Sequence, residues 1–162
     1  MEIINSKLIG TGACIPDFVL TNAMLEKMVD TNDEWIVQRT GVRERRIAKN
    51  THTWELALGA AQDALADAGI TAEELDLILV STCSPDTNTP NTASILQDKL
   101  GARQVGGVRY QQRLHRLCLR DRHLRTVTLN PARQRPYWLS TAETLSRIVD
   151  YTDARPRTSV RR

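Results

Sequence analysis

Two side chains in the first quarter of the 162-residue chain have the types and spacing expected of a nucleotide-binding pair. Trp35 and Arg39 lie four residues apart, so on a helix they are neighbours on one face. An indole ring can stack on a nucleobase while a guanidinium binds a phosphate. The same spacing also fits an amphipathic helix with a half-buried tryptophan and a solvated arginine. Because short motifs have little specificity, spacing alone favours this second interpretation.

The residues around this pair predict a helix with defined ends. Thr31 can cap its N-terminus, and Glu34 stands three residues later, as in a capping box. Asp33 and Glu34 fall in the first turn, where the helix dipole favours acidic side chains. Gly41 follows the last periodic residue and can adopt the left-handed conformation that ends many helices. We therefore expect a short helix that presents the aromatic ring and the cation together.

Three cysteines are the candidates for covalent chemistry or metal binding. Their odd number and the lack of a Cys-x-x-Cys pair indicate a reducing cytoplasm and argue against a disulfide framework or a zinc site. Cys83 has no histidine near it in the sequence, so nothing there predicts an activated nucleophile. Cys118 lies among Arg116, Arg120 and Arg122, whose charges favour a thiolate. A short acyltransferase that uses Cys118 is therefore one hypothesis for the function.

The front of the chain is predicted to form a strand, a turn and a helix. Residues 3–9 are mostly apolar and indicate a strand, and Gly10-Thr11-Gly12 after them indicates a tight turn. No third glycine follows at the spacing of a dinucleotide-binding fingerprint. Thr21 can then cap a helix whose core contacts recur at helical spacing, namely Leu25, Met28 and Val29.

Two longer helices follow, with a buried strand between them. The first covers residues 51–68 and ends at Gly69, and its apolar stripe comprises Trp54, Leu58, Ala61, Ala64, Leu65 and Ala68. Residues 75–80 are almost wholly apolar, as expected of a central parallel strand covered on both faces. The second helix begins at Asn91 or Thr92 and ends at Gly101, with Ala93, Leu96 and Leu100 facing inward. This alternation predicts an α/β layered fold.

The net charge of +3 hides an uneven distribution. Residues 1–106 contain 4 Lys, 5 Arg and 15 acidic residues, a balance of −6, whereas residues 107–162 contain 13 Arg, no Lys and 4 acidic residues, a balance of +9. A basic segment of this kind is typical of nucleic-acid binding, so a basic nucleic-acid-binding module is the alternative hypothesis. No stretch approaches the roughly 20 apolar residues of a transmembrane helix, and no signal peptide is evident, so we expect a cytoplasmic protein.

The block DTNDEWIVQRTGVRERRIA at residues 30–48 resembles the N-terminal signature of β-ketoacyl-acyl-carrier-protein synthase III, the condensing enzyme that starts type II fatty-acid synthesis. The segments LIGTGACIPDFVLTNAMLEKMVD before it and ELALGAAQDALADAGITAEELDLILVSTCSPD after it match the same family. The resemblance implies a thiolase-like layered fold and an acyltransferase of lipid metabolism. Because the family is longer and has two similar halves, we expect this chain to be the first half only.

The resemblance also implies roles for particular residues. It places Trp35 and Arg39 at the positions that contact the adenine and phosphate end of coenzyme A, with Thr31 as a further adenine contact. A second family arginine would stand at position 154, where this chain has Ala154, with Arg155 one place later. The family uses coenzyme A thioester as a substrate and needs no cofactor or metal. Its partners are acyl-CoA and acyl-carrier protein, and it forms a homodimer.

The match stops after residue 107, where the family continues with a strand and a nucleophilic cysteine in a motif such as Ala-Cys-Thr-Gly-Phe. This chain has VRYQQRLHRLCLRDRHLR, which shows no strand period and no such motif, so no residue receives a catalytic role. The family's catalytic His and Asn belong to its second half. We therefore predict that this chain does not catalyse the condensation.

A shift of reading frame would explain the break. Codons compatible with residues 108–123, read one nucleotide later, can encode the missing family segment, and the gene sequence would test this hypothesis. The family match returns at residues 142–153. We interpret residues 1–107 as a thiolase-like half-domain and residues 108–162 as an Arg-rich tail that is mostly out of frame.

Overall fold

The structure is a computed structural model that describes residues 7–103, 105–110 and 136–149, with the backbone alone at residues 106–110. The chain divides into two compact units. We call residues 15–52 and 144–162 the hairpin unit, and residues 1–14 and 53–143 the sheet unit. The half-domain boundary that the sequence placed after residue 107 stays a prediction.

A short antiparallel hairpin organises the hairpin unit. Strand β1 (Val19–Thr21) pairs with strand β2 (Glu44–Arg46). Two helices lie between these strands in the sequence, α1 (Asn22–Leu25) and α2 (Asp33–Thr40). Strand β1 and the two helices contribute a small apolar core, which comprises Leu20, Leu25 and Ile36 with Phe18 and Ile47 packed against it.

Helix α1 begins where the sequence predicts and is shorter than expected. Oγ1 of Thr21 accepts a hydrogen bond from the backbone N–H of Met24 at 3.3 Å, which confirms the cap. Leu25 is buried, whereas Met28 is 52% exposed, so the predicted core contact of Met28 is wrong. Because the helix ends at Leu25, its periodicity does not carry residue 28 onto the buried face.

Helix α2 has a different cap from the one that the sequence predicts. The cap is Asn32, whose Oδ1 accepts a hydrogen bond from the backbone N–H of Trp35 at 2.8 Å. The predicted capping box of Thr31 and Glu34 is therefore wrong, because the helix begins at Asp33 and asparagine ranks above threonine as a cap. At the other end Gly41 adopts a left-handed conformation with φ of 72°, as predicted.

A parallel three-stranded sheet forms the centre of the sheet unit. Strand β3 (Leu77–Ser81) lies between β4 (Gly106–Tyr110) and β5 (Tyr137–Thr141), and both neighbours run parallel to it. Ile78 and Val80 are completely buried, which confirms the predicted central strand. Strand β4 forms although its sequence shows no strand period, because pairing with β3 uses backbone groups that every residue other than proline supplies.

Two helices pack in the sheet unit, α3 (Thr53–Ala68) and α4 (Thr92–Leu100). Oδ1 of Asn91 caps α4 by accepting a hydrogen bond from the backbone N–H of Ser94 at 3.0 Å. Gly101 then ends α4 with φ of 75°, as predicted. The α/β layered class predicted from the sequence is confirmed.

The buried face of α3 is rotated from the stripe that the sequence predicts. Ala61 and Ala64 are buried as expected, and Leu56 and Ala57 are buried as well. Trp54, which the prediction placed inside, is only partly buried. Alanine is weakly hydrophobic, so an alanine-rich helix gives periodicity little contrast between one face and the next.

The first segment of the sheet unit differs from the predicted strand and turn. Residues 7–12 form neither a strand nor a turn, and the rest of the predicted strand lies outside the described residues. Leu8 is 79% exposed. Among the described residues no strand pairs with this segment, so its backbone has no ladder to join.

Gly10 and Gly12 allow this segment to approach helix α3 closely. A Cβ atom at Gly10 would lie 2.6 Å from the carbonyl oxygen of Ala64, and one at Gly12 would overlap the carbonyl oxygen of Ala60. The two glycines therefore serve a close backbone approach, and the predicted tight turn is wrong. A carboxylate of α3 holds the segment in place, because Oδ2 of Asp67 accepts a hydrogen bond from the backbone N–H of Thr11 at 2.8 Å.

Candidate functional site

Helix α2 presents the predicted aromatic and cationic pair on one exposed face. The central guanidinium carbon of Arg39 lies 5.5 Å from the centroid of the Trp35 ring, which is within the range of a cation–π contact. Trp35 is 38% exposed, whereas the adjacent Ile36 is only 5% exposed. Because Ile36 is buried in the core of the hairpin unit, the face that carries Trp35 and Arg39 points to solvent.

Trp35 also lines an open recess together with Asp30, Thr31 and Asn32. Two of the three predicted site residues, Thr31 and Trp35, thus face the same space, and Arg39 joins them through its contact with the ring. In the part of the chain that the structure describes, no salt bridge engages Arg39. The guanidinium carbon itself lies beside the indole ring.

Asp30 and Asn32 are the members of this recess that sequence reasoning missed. The signal for Asn32 was an asparagine directly before two acidic residues, which is the pattern of a helix cap followed by a first turn. Capping engages Oδ1 of Asn32, so this oxygen faces the helix. Asp30 also lines the recess, and no sequence signal identifies it in advance.

A second cluster of polar groups lies after strand β3 in the sheet unit. The carboxylate of Glu143 accepts hydrogen bonds from the backbone N–H of Cys83 at 2.7 Å and from the hydroxyl of Ser84 at 2.6 Å. The hydroxyl of Thr53 donates to the carbonyl oxygen of Ser84 at 2.6 Å. These contacts fix the loop that follows β3. The contact with Glu143 uses the backbone of Cys83 and not its thiol, so it does not activate a nucleophile.

Several predicted features lie outside the described residues. They include Cys118, most of the Arg-rich tail, and Ala154 with Arg155. Within the described ranges, no three side chains among His, Cys, Asp and Glu come together in a group that could hold a metal ion. None of the helices described is long and apolar enough to cross a lipid bilayer.

Comparison with known proteins shows extended similarity to one group of enzymes. A beta-ketoacyl-(acyl-carrier-protein) synthase III from Natranaerobius thermophilus is 42% identical over 154 residues, which is 92% of this chain and 45% of that protein. An enzyme of the same name from Clostridium novyi is 50% identical over 98 residues, which is 60% of this chain and 30% of that protein. No family model matches the chain.

The fold is also similar to that of solved synthase III structures. The crystal structure of 3-oxoacyl-(acyl-carrier-protein) synthase III from Aquifex aeolicus VF5 superimposes with a TM-score of 0.82 at 37% identity, and the match covers 95% of this chain and 50% of that structure. The thiolase-like fold expected from the sequence is confirmed. The chain spans about half the length of the curated relatives it matches.

Proposed function

Because the chain belongs to the β-ketoacyl-acyl-carrier-protein synthase III family, we propose that its hairpin unit binds the nucleotide end of an acyl-coenzyme A thioester. The adenine would stack on the exposed ring of Trp35, and Thr31 would contact it from the same recess. Arg39 would bind a phosphate beside the ring. The observation that carries the proposal is the 5.5 Å contact between the guanidinium and the indole at the edge of an open recess.

The chemistry that we propose for the whole enzyme is a condensation in two stages. A cysteine thiolate attacks the carbonyl carbon of an acyl-CoA, and the acyl group passes to the cysteine sulfur as the C–S bond to coenzyme A breaks. Coenzyme A leaves as a thiolate and takes up the proton that the cysteine lost on ionisation. Malonyl-acyl-carrier protein then loses CO₂, and the resulting carbanion attacks the acyl carbon. The cysteine thiolate leaves again, and the product is a β-ketoacyl-acyl-carrier protein. No redox change occurs, so no oxidant or reductant is needed, and the substrates supply every atom of the product.

Calorimetric titration of the full chain with coenzyme A tests the binding proposal. We expect Trp35→Ala and Arg39→Ala each to weaken binding about tenfold, since each removes one contact worth about 1.4 kcal/mol. Arg103→Ala, which removes an exposed arginine of the sheet unit, is the matched control and should bind as the unchanged chain does. Equal affinity in all four proteins would refute the proposal.

We further propose that this polypeptide by itself does not complete the condensation. Its sequence contains no Ala-Cys-Thr-Gly-Phe motif, and loss of a covalent nucleophile typically reduces the rate by about 10⁴-fold or more. Purified chain, incubated with acetyl-CoA and radiolabelled malonyl-acyl-carrier protein, should release no CO₂ above the background of protein-free buffer. Release coupled to acetoacetyl-carrier protein formation would overturn this part of the proposal.

Partners and location follow from the same family membership. We propose acyl-carrier protein and acyl-CoA as the partners of the whole enzyme, and a cytoplasmic location on the basis of the odd number of cysteines and the lack of a Cys-x-x-Cys pair. The homodimer is implied by the resemblance for the family as a whole, and no observation tests it for this chain. The nucleic-acid hypothesis depends on a tail that lies largely outside the described residues, and no comparison supports it.

A further inference from the structure

One buried side chain in the hairpin unit has all of its polar atoms engaged. Asn22 is only 2% exposed. Its Nδ2 donates to Oδ1 of Asp33 at 2.7 Å and to the carbonyl oxygen of Val42 at 2.9 Å. Its Oδ1 accepts from Nη1 of Arg45 at 2.7 Å. A buried amide is unfavourable unless its hydrogen bonds are satisfied. Few other side chains could therefore replace Asn22 and make the same hydrogen bonds.

The partners of Asn22 lie at both ends of helix α2. Asp33 is the first residue of the helix, and Val42 follows the glycine that ends it. A second hydrogen bond holds the N-terminal end, because Oε1 of Glu26 accepts a hydrogen bond from the backbone N–H of Asp33 at 2.6 Å. The contact with Arg45 adds strand β2 to the same network. Asn22 therefore connects α1, both ends of α2, and β2.

Apolar packing alone leaves the rotation of α2 weakly determined. Ile36 is the one residue of this helix that is buried. A single buried side chain anchors a helix without fixing its angle about its own axis, whereas hydrogen bonds at both ends do fix it. Rotation of α2 would move Trp35 and Arg39 together, away from the recess that Thr31 lines.

We propose that Asn22 is a positioning residue that holds both ends of α2 and so aims Trp35 and Arg39 at the nucleotide end of acyl-CoA. The proposal rests on the proposed function for its ligand. It goes beyond that function by assigning the orientation of the binding face to a residue that touches no ligand itself.

Exchange of donor and acceptor between positions 22 and 33 tests the proposal in the full chain. In Asn22→Asp the new carboxylate cannot donate to Asp33 and faces it with like charge. In the double variant Asn22→Asp/Asp33→Asn the new amide can donate to the new carboxylate, which also keeps its contact with Arg45. The carboxylate cannot donate to the carbonyl oxygen of Val42, so this variant restores the contact at the N-terminal end of α2 and not the one at the C-terminal end. We expect Asn22→Asp to weaken coenzyme A binding, and the double variant to recover about tenfold in affinity. Binding of the single variant equal to that of the unchanged chain would overturn the proposal.

A second readout separates this proposal from the proposed function. The indole N–H resonance of Trp35 in a ¹H–¹⁵N spectrum without ligand reports the environment of the ring. We expect this resonance to shift in Asn22→Asp and to move back toward its original position in the double variant, which restores the contact with residue 33. If the unchanged chain fails to bind coenzyme A, the proposed function fails, and the indole resonance still decides whether Asn22 positions α2. An indole resonance that is the same in all three proteins would refute the positioning role.

A variant of the sheet unit controls for general loss of stability. Leu96 is completely buried there, and Leu96→Ala creates a cavity without touching the hairpin unit's hydrogen bonds. We expect it to lower the melting temperature and to leave both the Trp35 resonance and the affinity for coenzyme A unchanged. If Leu96→Ala reproduced the effect of Asn22→Asp on both, the effect would be global and the positioning role would be refuted. Circular dichroism spectra establish that each variant has folded.

Discussion

At the scale of single residues, position 12 requires glycine because the backbone of helix α3 lies too close to admit a side chain. The Cβ atom of any other residue would overlap the carbonyl oxygen of Ala60 and approach the backbone nitrogen of Ala64. Neither atom belongs to a flexible side chain that could move aside. The requirement therefore arises from tertiary contact and not from a turn, which is why the sequence pattern Gly10-Thr11-Gly12 suggested the wrong local structure.

Substitution of Gly12 should consequently cost more than substitution of a glycine that only has an unusual φ angle. We expect Gly12→Ala to lower the free energy of unfolding by about 1–3 kcal/mol through overpacking. Gly101→Ala is the matched comparison, because its φ of 75° is strained for alanine and nothing lies within 4 Å of its Cβ position, and we expect about 1 kcal/mol there. Urea unfolding followed by circular dichroism measures both. A smaller effect at position 12 than at position 101 would contradict the contact geometry.

At the scale of elements, the ends of α2 show which features the sequence pattern predicts and which it does not. The acidic first turn and the terminal Gly41 were both predicted correctly, since each depends on the helix alone. The N-cap was missed by one residue, because Thr31 and Asn32 are both suitable caps and residue types alone do not fix the residue at which a helix begins. The network of Asn22 was not predicted at all, since its partners are separated from it by 11, 20 and 23 positions in the sequence.

The corrected cap makes a prediction that discriminates between neighbouring residues. Asn32→Ala removes the acceptor for the backbone N–H of Trp35 and should destabilise the hairpin unit by about 1 kcal/mol. Thr31→Ala leaves that hydrogen bond intact and should change the stability by less than about 0.5 kcal/mol. Thermal unfolding followed by near-ultraviolet circular dichroism measures the difference. If Thr31→Ala were the more damaging of the two, the cap assignment would be wrong.

In the sheet unit, too, only some of the strands could be predicted from the sequence. The apolar run that forms β3 was evident, because burial on both faces needs almost continuous hydrophobicity. Strands β4 and β5 were not expected, since residues 108–141 do not follow the family pattern. Their pairing with β3 uses backbone groups, which leave no signal in the pattern of side chains.

At the scale of the whole molecule, large apolar side chains remain on the surface of each unit. Leu8 is 79% exposed and Ile9 48% in the sheet unit, and Ile15 is 64% exposed in the hairpin unit. Scattered apolar residues are normal on protein surfaces, and the adjacent side chains of Leu8 and Ile9 give a hydrophobic probe apolar area to contact.

We therefore expect the purified chain to bind a hydrophobic dye such as 8-anilinonaphthalene-1-sulfonate under native conditions. Leu8→Gln/Ile9→Gln should reduce the fluorescence, because it removes the apolar surface without disturbing the buried core. Met28→Gln, which alters a single exposed side chain elsewhere, serves as the control and should have a smaller effect. A sharp thermal unfolding transition together with no increase in dye fluorescence would contradict this expectation.

The parallel pairing of β3 has a consequence for synthesis on the ribosome. Leu77 stands opposite Gly106 on one side and Tyr137 on the other, so the second edge of β3 stays open while the intervening chain is being made. At roughly 5–20 residues per second, that interval lasts several seconds. An unpaired edge of a strongly apolar strand is a template for association with other chains. Nascent polypeptides that stall in this interval are thus the ones most exposed to capture by their neighbours and most dependent on chaperones.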